Sequence, residues 1–343
     1  MIVEPTAPLP VPLTVRAARG VEALQRRVRT LPARRLLQLA LGMIWLLDAA
    51  LQFQPYMFSR SFVTGIIEPT AAGNPRAVAN SITWVAHLLL HHLVPFNVVF
   101  ATLQLLVAIG ILYAPTVRPA LAASIGWAVL VWWFGEGLGG VLAGNTPIMG
   151  APGAVILYAV VAVLVWPDGR ELTGPGEGSR EPTAFGGLIG RRGALLVWLA
   201  LWGGLAWLLL LPGNRSPSAM GSMVAGMAGG QPGWVRSVET GLGRILVHHG
   251  TEVSLILAAL CGLVALGVWF RPTLGPALVV AVQIGAAFWV CEAFGGIFTG
   301  AGTDPNSGLL LILLACCYWP VRTRPDAVRS GAVRAATPAH AVR

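Results

Sequence analysis

Lysine does not occur in this chain of 343 residues, so all 23 basic residues are arginine, and the acids number only 14. Charged residues make up 11% of the sequence, far below the roughly one quarter usual in a soluble domain, which excludes an ordinary water-soluble globule. Cysteine is scarce as well: of the four, only Cys316 and Cys317 adjoin, and with no Cys-x-x-Cys a dithiol relay is disfavoured. The chain has no phosphate-cradling glycine loop ending in Lys-Ser or Lys-Thr, and no His-Glu-x-x-His, so those nucleotide and zinc-protease sites are excluded. The first apolar run follows about 35 arginine-studded residues, a spacing unlike that of a secretory signal.

What is abundant is apolar surface, at 55% of residues. Runs long enough to cross about 30 Å of hydrocarbon fall near 36–53, 96–114, 120–135, 151–166, 193–211, 252–270, 274–291 and 308–320. They predict an all-α polytopic membrane protein of eight transmembrane helices. The runs at 151–166 and 308–320 are short, so these two helices are expected to extend back into the glycine-rich segments before them.

The eight runs fall into two sets of four, because residues 91–153 recur imperfectly at 248–308. His91-His92 matches His248-His249, Arg118-Pro119 matches Arg271-Pro272, and Glu136 with Gly139-Gly140 matches Glu292 with Gly295-Gly296. A period this long predicts two tandem four-helix bundles and not a solenoid of short repeats. The expected organisation is an arginine-rich segment 1–35, a first membrane repeat 36–167, a linker 168–192, a second repeat 193–320 and a disordered tail 321–343. Residues 11–35 also read as a helix lying on an anionic membrane surface, or as a basic tail that only sets topology.

Arginine placement sets the orientation. Arg16, Arg19, Arg26, Arg27, Arg29, Arg34 and Arg35 precede the first run, and Arg170, Arg180, Arg191 and Arg192 separate the fourth from the fifth. The positive-inside rule puts both termini in the cytoplasm. The net charge of +9 thus reads as topology, with the lipid bilayer as partner and no nucleic acid.

A rise of 1.5 Å per helical residue gives the depth of the polar groups: Glu136 lies ~27 Å above Arg118, Glu292 ~31 Å above Arg271 and Asp48 ~20 Å above Arg35. The two glutamates and the four histidines therefore gather near the outer membrane boundary, while Asp48 sits inside the membrane, at a cost of roughly 2.5–3.5 kcal/mol if charged. Asp48 has Leu205 as its counterpart and reads either as a functional acid or as a hydrogen-bond partner of Gln52 or another helix. Asp48, Glu136 and Glu292 are the candidate catalytic or proton-carrying groups.

His91, His92, His248 and His249 are candidate cofactor ligands, since two pairs meeting across a pseudo-twofold could hold a haem. With Glu136, Glu292 and the methionines Met220, Met223 and Met227 they are also candidate metal ligands, imidazole and thioether together suiting copper. The bland alternatives are interfacial histidines and glutamates that cap helices or pair with Arg60, Arg76, Arg215 or Arg236, and methionines resting on lipid. Cys261, Cys291, Cys316 and Cys317 read as small apolar packing residues.

The run Arg35-Leu36-Leu37-Gln38-Leu39-Ala40-Leu41-Gly42, the outer segment that follows and three closely spaced spans resemble the DoxX-like family of four-span membrane proteins, which includes the small membrane subunit of thiosulfate:quinone oxidoreductase. The resemblance covers most of 35–166 and, more faintly, 193–320. The family's first helix commonly ends in a lysine, where this chain has Gln52. The resemblance implies a multi-pass protein of the bacterial plasma membrane that feeds electrons to quinone or assists a membrane or extracytoplasmic redox partner. The expected function is therefore redox-associated handling of a metal, haem or quinone at an outward-facing site. Transport or delivery of copper or a small solute, and a non-catalytic scaffold for a partner, are the alternatives.

Overall fold

The computed structural model describes residues 31–167 and 186–320, so the expectations for the N-terminal arginine segment, most of the linker and the tail lie outside the described residues. Among those described, the regular elements are helices. The first half holds α1 (Ala33–Gln52), α2 (Arg76–His91), α3 (Leu93–Leu112), α4 (Val117–Phe134) and α5 (Ala154–Leu164). The second holds α6 (Gly190–Leu209), α7 (Ala219–Gly226), α8 (Gly233–Leu246), α9 (Gly250–Gly267), α10 (Arg271–Cys291) and α11 (Asn306–Cys317). Helices α1, α3, α4, α6, α9 and α10 are long and apolar enough to cross a membrane, whereas α5 and α11 are shorter apolar helices of 11 and 12 residues.

The inward stripe of α1 consists of Leu37, Leu41, Trp45, Asp48 and Gln52, spaced three or four apart as one helical face requires. The stripe of α6 is Ala194, Trp198, Trp202, Leu205 and Leu209, the same positions shifted by 157. On α3 the buried positions Asn97, Ala101, Gln104 and Ala108 recur on α9 as Ser254, Ala258, Cys261 and Ala265. Helix α1 packs along α3, α3 against α4 and α4 against α5; α6 packs along α9, α9 against α10 and α10 against α11. The short helices α5 and α11 pack on each other, and α11 also touches α1, joining the halves around one hydrophobic core.

The α3–α4 and α9–α10 hairpins are built alike. Gly110 lets the Ala120 methyl approach closely, as Gly267 does for Ala277, and the hydroxyls of Thr116 and Thr273 donate to Gly110 O at 2.8 Å and Gly267 O at 2.7 Å. Thr116 therefore corresponds to Thr273, and Pro119 to Pro276 inside α10. The expected match of Arg118-Pro119 with Arg271-Pro272 is corrected by one helical turn: α10 simply begins earlier than α4, which is why Glu292 came out higher than Glu136 in the depth estimate.

A second correction concerns the two short helices, which do not extend back into the glycine-rich segments. Gly137, Leu138, Gly139, Gly140 and Gly144 have positive φ, as do Ala293, Phe294, Gly295, Gly296 and Gly300 at the same relative positions. Runs of left-handed residues cannot propagate a right-handed helix. A Cβ on Gly139 would run into Pro152 O, and one on Gly295 into Asp304 O, so these turns fold tightly back on the loop that leads into α5 or α11.

Candidate functional site

Asp48 occupies a core position on the stripe of α1 and is 3% exposed. It lines a cavity of about 290 Å³ whose walls are mostly aromatic and aliphatic: Trp45 from α1, Phe62, Ile66 and Ile67 from the irregular 55–71 segment, Val85 and Leu89 from α2, Phe100 from α3, and Trp127 and Phe134 from α4. The polar positions are Asp48, Gln52, Gln104, Glu136, Thr303 and Asp304, and no arginine or histidine among the described residues lines the space. Thr303 and Asp304 come from the loop before α11, so the second half completes a cavity built mainly by the first.

Buried polar groups normally find partners, and an orphan costs about 1–3 kcal/mol. Around this cavity two do not: Gln104 Oε1 and Trp127 Nε1 lack a hydrogen bond, and Asp48 Oδ1 has no well-formed one, although the Tyr158 phenol on α5 stands close enough to donate to the Asp48 carboxyl. Neighbouring groups show that the local packing satisfies polar atoms where it can. The Trp45 indole donates to Ser124 Oγ at 2.9 Å, and the Gln52 side chain pairs with Asn97, whose amide donates back to Gln52 O at 3.0 Å. The expected Asp48–Gln52 bond is thereby corrected, because Gln52 points along α1 to α3. What borders the cavity is one indole donor, one amide acceptor and a carboxyl group, which suits an apolar molecule carrying a few hydrogen-bonding atoms.

Glu136 and Glu292 end α4 and α10 and turn back to the starts of the following short helices. Glu136 accepts from Val155 N at 3.2 Å, and Glu292 accepts from Gly308 N at 3.0 Å and from the Ser307 hydroxyl. Carboxylates at helix N-termini meet free N–H groups and the positive end of the dipole. Each glutamate thus meets a helix end in place of the arginine partner that was one expectation. Glu292 is fully buried, which raises its carboxyl to about 8 despite the stabilising bonds from Ser307 and Gly308. Burial also holds Glu136 well above the usual carboxylate range, with Asp304 adding to the effect. Asp304 is itself raised by burial, while its oxygens accept from Thr303 Oγ1 at 2.8 Å and Asn306 N at 2.7 Å.

The other expected ligands lie elsewhere. His91, His92, His248 and His249 are exposed at the ends of α2 and α8; His91 Nδ1 is 2.7 Å from His87 O and the His92 ring leans on Phe96. Met220 is buried in the core beside α7's neighbours, with Met223 and Met227 half-buried. Among the described residues no three His, Cys, Asp or Glu side chains stand close enough to hold a metal ion. His91, His92, His248, His249, Glu136 and Glu292 are therefore not brought together: the glutamates turn inward to helix ends while the histidines face out, and Met220, Met223 and Met227 lie on α7 and at its end. The cysteines are free, with Cys261 and Cys317 buried.

Three site residues escape a search for charged groups. Gln104 and Trp127 lie inside apolar runs, and Tyr158 lies in a run of valines and alanines; the signal available is that Gln104 shares the α3 stripe with Asn97. In the second half the counterparts of Asp48, Gln52 and Gln104 are Leu205, Leu209 and Cys261, and matching Val155 to Gly308 makes Leu311 the counterpart of Tyr158. The polar stripe of Asp48, Gln52 and Gln104 thus belongs to the first half only.

No protein-family model, no curated protein and no solved structure matches this chain.

Proposed function

We propose that this chain is an integral membrane protein that binds a lipid-borne molecule of the quinone class in the Asp48 cavity, as part of a redox process at the outer half of a bacterial plasma membrane. The observation that carries this reading is the convergence of buried polar atoms without a well-formed hydrogen bond, Asp48 Oδ1, Gln104 Oε1 and Trp127 Nε1, on an aromatic-walled space. A quinone offers a flat ring for the aromatic walls and two oxygens for the donors. Leu130, 51% exposed on α4, borders the cavity, giving a mouth toward lipid from which such a molecule would enter. In this reading Asp48 carries a proton, so it donates to a quinone oxygen without placing a bare charge in hydrocarbon.

The reading includes eight crossings arranged as two four-helix bundles, with both termini cytoplasmic. Helix α5 spans ~17 Å and α11 ~18 Å, about half the hydrocarbon thickness. The left-handed turns and loops before them fill the remainder, which irregular backbone can do where protein covers it. The matched stripes of α1 and α6 and of α3 and α9 support the bundles. The arginines before α1 and around the start of α6 support the orientation.

The test is the quinone content of detergent-purified protein. A stoichiometric quinone is expected in the wild type, falling about tenfold or more in Trp127→Phe, which removes a donor to a quinone oxygen. Stoichiometric copper, zinc or iron, lost when His91, His92, His248 and His249 are all replaced by Ala, would instead restore the metal reading.

A further inference from the structure

We propose that Asp48 exchanges its proton with the outer aqueous phase through Glu136, along two cavities that meet at that residue. The proposal rests on the orientation and the Asp48 cavity put forward above. The second cavity, about 230 Å³, shares Ile66, Gly135 and Glu136 with the first and continues past Thr70, Asn145 and Asn306. One space therefore runs from Asp48 to Glu136, and another from Glu136 to the exposed residue Asn145.

The two halves of the chain treat the same glutamate differently. Glu292 is 0% exposed and held by two donors, the Ser307 hydroxyl and Gly308 N. Counting from Val155 as the counterpart of Gly308, the counterpart of Ser307 is Ala154, which has no hydroxyl. Glu136 keeps only the backbone donor and stays half-buried between the two cavities. Gly153 lies against its carboxylate, where a Cβ would collide with Oε2, so the backbone leaves this group room. The open glutamate occurs in the half that carries Asp48, and the closed one in the half that carries Leu205.

The groups facing Asp48 are few. Tyr158 comes from α5, Glu136 from the end of α4, and Asp304 from the loop before α11; Gln104 on α3 does not titrate, and the 55–71 segment and α2 present apolar side chains. Proton transfer from the Asp48 carboxylic acid to the Glu136 carboxylate leaves an Asp48 carboxylate and a protonated Glu136. Glu136 then releases the proton to water in the outer cavity, and the reverse sequence reloads Asp48.

The experiment is infrared spectroscopy of the full chain in lipid vesicles, following the carboxylic C=O stretch after transfer to heavy water. The band lost in Asp48→Asn identifies Asp48. Its isotope shift is expected to slow at least tenfold in Glu136→Gln, which keeps an acceptor for Val155 N. It should also slow in Ala154→Ser, which supplies the missing hydroxyl and decides the matter if Glu136→Gln does not fold. No band lost in Asp48→Asn, or exchange at the wild-type rate in the folded variants, overturns the proposal. Quinone binding is measured on the same samples. Absent binding with slowed exchange removes the ligand reading and leaves the route, whereas intact binding with unchanged exchange does the reverse.

Discussion

At the scale of single residues, two buried acids have apolar residues at the matching positions of the other half. Asp48 on α1 faces Leu205 on α6 across the duplication, and Glu239 on α8 stands where Ile82 stands on α2. Glu239 is 0% exposed with both carboxylate oxygens unpartnered, and burial pushes it up to about 7. Glu239 and Glu292 both have native values above their ordinary ones, so between about pH 4.5 and 8 the folded state binds more protons than the unfolded state. Stability is then greatest at the acid end of this window and falls as pH rises through about 7 and 8. In detergent, denaturation midpoints are expected to be higher at pH 5.5 than at pH 8.5, with Glu239→Gln gaining about 1–2 kcal/mol at pH 8.5 and little at pH 5. A wild-type midpoint that rises with pH would contradict this. Asp48 was legible in the sequence because an acid inside an apolar run stands out. Gln104, Trp127 and Tyr158 were not, since neutral polar and aromatic residues are ordinary in such runs. The histidine doublets were conspicuous for the opposite reason, and the fold leaves them exposed.

At the scale of elements, the left-handed turns at 137–140 and 293–296 decide where α5 and α11 begin. Gly139 has φ 60° and Gly295 φ 70°, and each faces a backbone oxygen where a side chain would sit. Gly139→Ala and Gly295→Ala should each cost at least about 1–3 kcal/mol from conformation alone, with the collision adding to that, and reduce folded protein on size-exclusion chromatography. Gly262→Ala on α9, with open space around it, should elute as the wild type does. Equal elution of all three would show that these turns do not set the fold. The long helices could be read from hydropathy to within a few residues. The short helices were misjudged because hydropathy registers glycine as compatible with a span, whereas its φ is fixed by the neighbour it folds against. Asp304 joined the site for a similar reason, as its place beside Asp48 depends on α5 packing against α11 far along the chain.

At the scale of the whole molecule, paired polar residues suggested two related halves, and the buried stripes of α1 and α6 and of α3 and α9 fall at the same spacings. The register between the halves was not fully legible: Arg-Pro recurs in both halves, but the hydrogen-bonded Thr116 and Thr273 align one turn away from that match. The proposed topology is testable by cysteine labelling in a cysteine-free background. A cysteine at exposed Ser222 on α7 should react with an impermeant maleimide on intact cells, and one at exposed Arg192 on α6 only after permeabilisation. The reverse pattern would invert the protein and place the Asp48 cavity in the inner half.

The most direct test of the ligand reading is a calorimetric titration of a short-chain quinone into the full-length protein, with Asp48→Asn and Asp48→Leu beside the wild type. Saturable one-to-one binding is expected, kept within a few-fold by Asp48→Asn, which still donates a hydrogen bond, and weakened about tenfold or more by Asp48→Leu. No saturable binding, or equal affinity in Asp48→Leu, would contradict a quinone site at Asp48.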